Sequence, residues 1–168
     1  GQRPSAICKE GITRTFQIVQ PFPGITAVEN VQIAAFNRIA GTKNAADKAE
    51  EILDFVGLYN KKNFLGSNLT IGERKRLEVA KALATEPELL LLDEVMAGLT
   101  PAETDITIAL VKKIQERGIT VLLIEHVMRV IMSLAQRIVV LHHGEKIADG
   151  DPETVSKDPK VIDAYLGG

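Results

Sequence analysis

Apolar and polar positions along this chain follow two periods, and turn residues mark the switches between them. Ser5 to Glu10 reads as the end of a helix closed by Gly11, and Ile12 to Ile18 as a strand. Pro21, Pro23 and Gly24 mark the loop after it. Thr26 and Glu29 have the spacing of a capping box, so a helix is expected from there to about Ile39. Gly41 to Asn44 reads as a turn, with Asn44 capping a helix from Ala45 to Val56 that Gly57 ends. Thr70 and Glu73 repeat the box, and Leu77, Ala80 and Ala84 fall on one face of the helix they open. Pro87 stops that helix. Leu89 to Leu92 is a short apolar run bounded by turn signals, the pattern of a strand covered on both faces.

The second half alternates in the same way. Thr100, Pro101 and Glu103 start a helix with Ile106, Leu110 and Ile114 on its inner face, and Gly118 ends it. Ile119 to Ile124 is a second continuous apolar strand. Val127 to Ala135 is a short apolar helix, Ile138 to Leu141 a strand, His142 to Glu145 a turn and Lys146 to Ala148 the return strand. Asp151-Pro152 and Asp158-Pro159 each place a capping acid before a proline, so two short helices close the chain.

With 168 residues, the chain is long enough for one domain with a sizeable core. Apolar residues at 45% and charged residues at 25% are ordinary for a globular protein. A formal net charge of -2 leaves no broad basic footprint, so no nucleic-acid partner is expected. No apolar run approaches membrane-spanning length, and no signal peptide opens the sequence. The single cysteine, Cys8, excludes an internal disulfide and fits a reducing cytoplasm.

Chemistry concentrates where a buried strand runs into two acids, Asp93 and Glu94. Carboxylates at the carboxyl end of a parallel strand stand where open α/β sheets hold their ligands. Taken alone, Asp-Glu after four leucines is more often a plain strand end, and a Thr-x-x-Glu helix start is ordinary. His126 after a strand has a structural reading too, and His142-His143 suits a turn better than a metal, since no further ligand is spaced to help.

Order and spacing change the balance. Leu69-Thr70-Ile71-Gly72-Glu73, followed by Leu89 to Glu94, resembles the signature motif and Walker B strand of the ABC ATPase family. Thr-Phe-Gln before a proline-containing loop resembles its Q-loop, with Gln17 as the glutamine; Met96 to Thr100 resembles the D-loop, and His126 the H-loop histidine. The strings DEVMAGLTPAE, LLIEHVMRVIM and RIVVLHHGEKIADGDP are similar to the ATPases of branched-chain amino-acid importers. Ile71, where glycine is usual, and Val95, where proline often follows the acids, are variations that this branch tolerates.

The resemblance implies an α/β fold, a partial P-loop NTPase core with a parallel sheet and an inserted helical subdomain. Residues 1–168 would be the C-terminal portion of one ABC ATPase domain, with Q-loop and helical subdomain at 19–68 and the remaining motifs at 69–168. ATP and Mg²⁺ are the implied cofactors. Asp93 and Gln17 would serve the metal, and Glu94 would act as general base toward water. His126 would sense the γ-phosphate, and Thr70, Gly72 and Glu73 would open the helix that meets phosphate oxygens. Implied partners are membrane permease subunits and a second ABC ATPase subunit. The implied location is cytoplasmic, peripheral on the inner face of the membrane.

One motif is absent from these residues: Gly-x-x-x-x-Gly-Lys-Ser/Thr, the Walker A loop that cradles the β- and γ-phosphates. The chain is therefore expected to be a fragment, inactive alone, holding ATP more weakly than about millimolar. The Walker A strand would lie between the strand ending near His126 and the strand Ile138 to Leu141. Without it, those two should pair directly or take a strand from another molecule. The competing reading is a non-catalytic interaction module that docks on a permease or partner ATPase.

Overall fold

Helix α1 (Pro4–Lys9) hands the chain to strand β1 (Ile12–Arg14) through Gly11, whose φ of +90° is the left-handed turn that glycine adopts without steric cost. The structure is a computed structural model that describes residues 1–17 and 19–166. It divides into two units, residues 1–124 and 125–168.

The first unit is built on a parallel sheet in the order β1-β2-β3, with β2 (Leu89–Asp93) in the middle and β3 (Thr120–Ile124) beyond it. Leu89 pairs with Ile12 on one side and with Thr120 on the other, so the register is in step across all three strands. Leu90 and Leu92 are fully buried while Leu89 and Leu91 are half-buried. The middle strand thus has one dry face, not the two that its continuous leucines suggest. Helix α5 (Pro101–Glu116) is the crossover from β2 to β3. Its buried stripe is Thr107, Ile108, Leu110, Val111 and Ile114; Ile106, expected inside, is 49% exposed.

Helices α2 (Ala27–Ala35), α3 (Thr42–Phe55) and α4 (Ile71–Leu83) pack on one another. Their core combines small residues, Ala27, Ala35, Ala45, Ala49 and Ala80, with Val31, Leu53 and Leu77. Thr26, Thr70 and Thr100 each accept a bond from the backbone N–H three residues on, and Glu29, Glu73 and Glu103 reach back to complete the box. Asn44 does not cap α3. The helix starts at Thr42 after Gly41 (φ +91°), and Asn44 lies inside it, donating to the Ala40 carbonyl.

The expected strand from Ile12 is shorter than the sequence suggests, and Ile18 lies outside the described residues. Thr15 shows why it stops. Its N–H donates to the Leu91 carbonyl at 2.9 Å, but the next rung is taken by its side chain, whose hydroxyl accepts from the Asp93 N–H at 3.3 Å. The backbone is released from the ladder and leaves the sheet with Phe16 exposed.

In the second unit, α6 (Met128–Leu134) precedes an antiparallel hairpin of β4 (Ile138–His142) and β5 (Glu145–Gly150). His143 and Gly144 turn it with φ of +48° and +83°, the twist a two-residue hairpin needs. Helices α7 (Pro152–Ser156) and α8 (Pro159–Leu166) pack beside β5, and Asp151 caps α7 as expected. Within the first unit β3 pairs with β2, and within the second β4 pairs with β5.

Candidate functional site

Asp93 closes strand β2, and Glu94 follows with φ +46°, a left-handed backbone that a non-glycine residue adopts at a cost and that recurs at functional sites. Its N–H donates to the Ile124 carbonyl of β3 at 3.0 Å. Its carbonyl accepts from the Ala97 N–H at 3.1 Å and from Lys75 Nζ at 3.1 Å. Its side chain accepts from Gln17 Nε2 at 2.5 Å. Gln17 reaches it because Thr15 ends β1 beside the tip of β2. The sheet thus brings together three residues singled out in the sequence: Gln17, Asp93 and Glu94.

Arg14 joins them. Its guanidinium lies 3.2 Å from Asp93 Oδ2 and 5.0 Å from the Phe16 ring. The pair is partly solvated, with Arg14 53% and Asp93 28% exposed, so it is a modest, salt-sensitive attraction. A cleft of about 640 Å³ opens beside it, lined by Arg14, Phe16, Gln17, Lys81 and Asp93 among others.

Thr70, Gly72 and Glu73 form a second cluster at the start of α4. The Glu73 carboxylate accepts from the Thr70 N–H at 2.9 Å and lies 3.8 Å from Lys61 Nζ. Gly72 is buried, with the Glu103 carboxylate against it where a side chain would stand. The Glu103 carboxyl is held below its ordinary value of 4.5, first by the Thr100 N–H, then by the Thr100 hydroxyl, with Arg76 nearby. Ile71, the first residue of α4, is 64% exposed. His126 belongs to the second unit, where it is exposed and precedes α6.

The oxygens at the sheet tip suit Mg²⁺. A hard ion of this kind is held by one or two carboxylates and completes its shell with water and substrate phosphate. Asp93 supplies such a carboxylate, and Gln17, whose nitrogen is committed to Glu94, leaves its amide oxygen as a donor to metal. No group of three or more His, Cys, Asp and Glu able to hold a metal by itself exists among the described residues.

Three residues escaped the sequence reading. Arg14 and Thr15 act through the parallel register with β2, which local pattern does not encode. Lys75 had a local signal: it lies on the buried stripe Gly72, Lys75, Val79, where a lysine is out of place.

A β-α-β core with paired acids at its central strand tip, together with a capped helix N-terminus, is the architecture of a nucleotide-binding cassette. The chain belongs to the ABC transporter family, whose model matches residues 2–97; a second model, described as branched-chain amino acid ATP-binding cassette transporter, matches residues 145–168. Among its relatives is the high-affinity branched-chain amino acid transport ATP-binding protein BraF of Pseudomonas aeruginosa. The two are 41% identical over 96% of this chain and 69% of BraF. LivG of Escherichia coli, with the same description, is 36% identical over 96% of this chain and 69% of its own length. A nucleotide-free ATP-binding cassette from an ABC transporter superposes with a TM-score of 0.86 at 29% identity, covering 99% of this chain and 73% of that one. A dimeric cassette bound to ADP and Pi superposes with a TM-score of 0.78 at 27% identity, covering 90% and 68%.

Proposed function

We propose that this chain is the ATP-hydrolysing part of an ABC importer for branched-chain or related amino acids. The observation that carries the reading is the hydrogen bond from Gln17 to Glu94 beside Asp93, at the tip of the central parallel strand. The relatives' descriptions support the amino-acid class.

Phosphoryl transfer to water needs alignment and charge neutralisation more than covalent help. Bound Mg²⁺ supplies the neutralising charge. Asp93 would hold the metal through its carboxylate, and the Gln17 amide oxygen would be a second donor to it while its nitrogen stays bonded to Glu94. Glu94 accepts the proton of the attacking water as general base. His126 meets the γ-phosphate. Thr70, Gly72 and Glu73 present the N-terminal amides and dipole of α4 to the phosphates of a nucleotide held by a second ATPase subunit. The helical segment 19–68 docks on permease subunits at the inner face of the membrane. Among the described residues no helix is long and apolar enough to cross that membrane itself.

The amides and lysine that grip the β- and γ-phosphates come from outside these 168 residues, which contain no Gly-Lys pair. The second reading is a non-catalytic module that docks without hydrolysing. ATP hydrolysis by this chain mixed with a full-length ABC ATPase subunit separates the two. Rate gained on mixing, and lost when Gly72→Asp blocks the signature helix, supports the hydrolytic reading. Permease binding with no gain in rate supports the docking module.

A further inference from the structure

We infer that Lys75 is a positioning residue for Glu94, the means by which the signature helix of this chain fixes its own general base. The inference rests on the reading of Glu94 as that base.

Lys75 stands one turn inside α4 and is only 8% exposed. Burying an ammonium is costly, and a core position on a helix stripe is filled more cheaply by an apolar side chain. The cost is met where the group has work as a donor, and Lys75 Nζ donates to the Glu94 carbonyl at 3.1 Å.

That carbonyl is the point where the strand geometry breaks. The β2 ladder ends at Asp93, and the left-handed backbone of Glu94 takes its carbonyl out of the sheet. Outside the sheet it accepts from Ala97 N–H and from Lys75. On the other side of the residue, its N–H remains tied to Ile124. Glu94 is thus held in a conformation that glutamate disfavours, by β3 on one side and by α4 on the other. The direction of its side chain toward Gln17 depends on that backbone. A charged hydrogen bond is well suited to hold such a conformation, being about twice as strong as a neutral one.

The test uses the full chain and three forms of it: unchanged, Lys75→Met and Lys75→Arg. Methionine keeps the bulk and removes the donor, and arginine restores a donor. The readouts are hydrogen exchange at the Ala97 amide and the ¹⁵N–¹H signal of the Gln17 side-chain amide. Lys75→Met, still folded by its far-UV spectrum, should exchange Ala97 at least about tenfold faster and shift the Gln17 signal toward its free position. Lys75→Arg should return both most of the way. Unchanged exchange and an unchanged Gln17 signal in Lys75→Met would overturn the inference, as would a folded Lys75→Arg that restores neither. Loss of folding in Lys75→Met, with Lys75→Arg folded but unrestored, counts against it equally. Failure of the base reading would show elsewhere. Glu94→Gln would then leave hydrolysis unchanged in an assembly supplying the phosphate loop, while Lys75→Met and Lys75→Arg still give the expected pattern in the two readouts.

Discussion

The Glu103 carboxylate lies against Gly72, so the start of α5 is packed on the start of α4 with no room for a methyl group between them. Glu103 is not free to step aside, because its Oε2 accepts from both the N–H and the hydroxyl of Thr100. Replacing glycine by alanine in a helix ordinarily gains up to about 1 kcal/mol. Gly72→Ala should show no gain in the native background, and should stabilise once Glu103→Ala has cleared the space. Urea unfolding of the double-mutant cycle measures the coupling.

Arg14 competes with any cation for Asp93. Its guanidinium is 3.2 Å from the carboxylate and half exposed, so the competition is modest. Arg14→Ala should tighten Mn²⁺ binding by about two- to fivefold, read by electron paramagnetic resonance of free Mn²⁺. The difference between the two proteins should shrink as salt is raised to about 0.5 M.

Acid should loosen two helix starts. Thr26 holds Glu29, and Thr100 holds Glu103, below the ordinary carboxylate value of 4.5. For Glu29 the hydroxyl bond is the leading cause, and for Glu103 the backbone N–H. A depressed acid contributes its stability above the unfolded value and loses it as pH falls through the folded one. The stability of the chain should therefore drop from about pH 4.5 downward. Glu29→Gln and Glu103→Gln should each flatten that slope in thermal melts taken between about pH 5 and pH 3.

The two strands beside each other respond differently to truncation. Leu92 in β2 is 1% exposed and Leu122 in β3 is 49% exposed. Leu92→Ala should cost about 2–5 kcal/mol by urea unfolding, and Leu122→Ala less than about half of that.

The sequence and the fold agree most closely where the information is local. A threonine and a glutamate three residues apart contain a complete instruction, and at Thr26, Thr70 and Thr100 the helix begins where that instruction says. The acids at the tip of β2 were legible for a similar reason, since a leucine run and its boundary lie within one short segment. What local pattern missed depended on distant neighbours. Thr15 stops β1 only because Asp93 is across the ladder, and nothing around Thr15 in the chain announces it. Ile106 looked inward by helical spacing, yet the buried stripe runs through Thr107 and Leu110, because packing partners set which side of α5 faces in. Asn44 looked like a cap, but Gly41 began the helix earlier. The family pattern supplied what periodicity did not, namely that Gln17 and Glu94, 77 residues apart, belong to one place.

The middle position of β2 has a consequence for any motion of this molecule. A carboxylate at the rim of a sheet can swing alone, whereas Glu94 is moored to Ile124, to Lys75 and to Gln17 at once. Displacement of the segment at Gln17, of α4 or of β3 must each pull on the same residue. Three separate mechanical inputs therefore share a single output, and the chain can register any one of them without a dedicated relay.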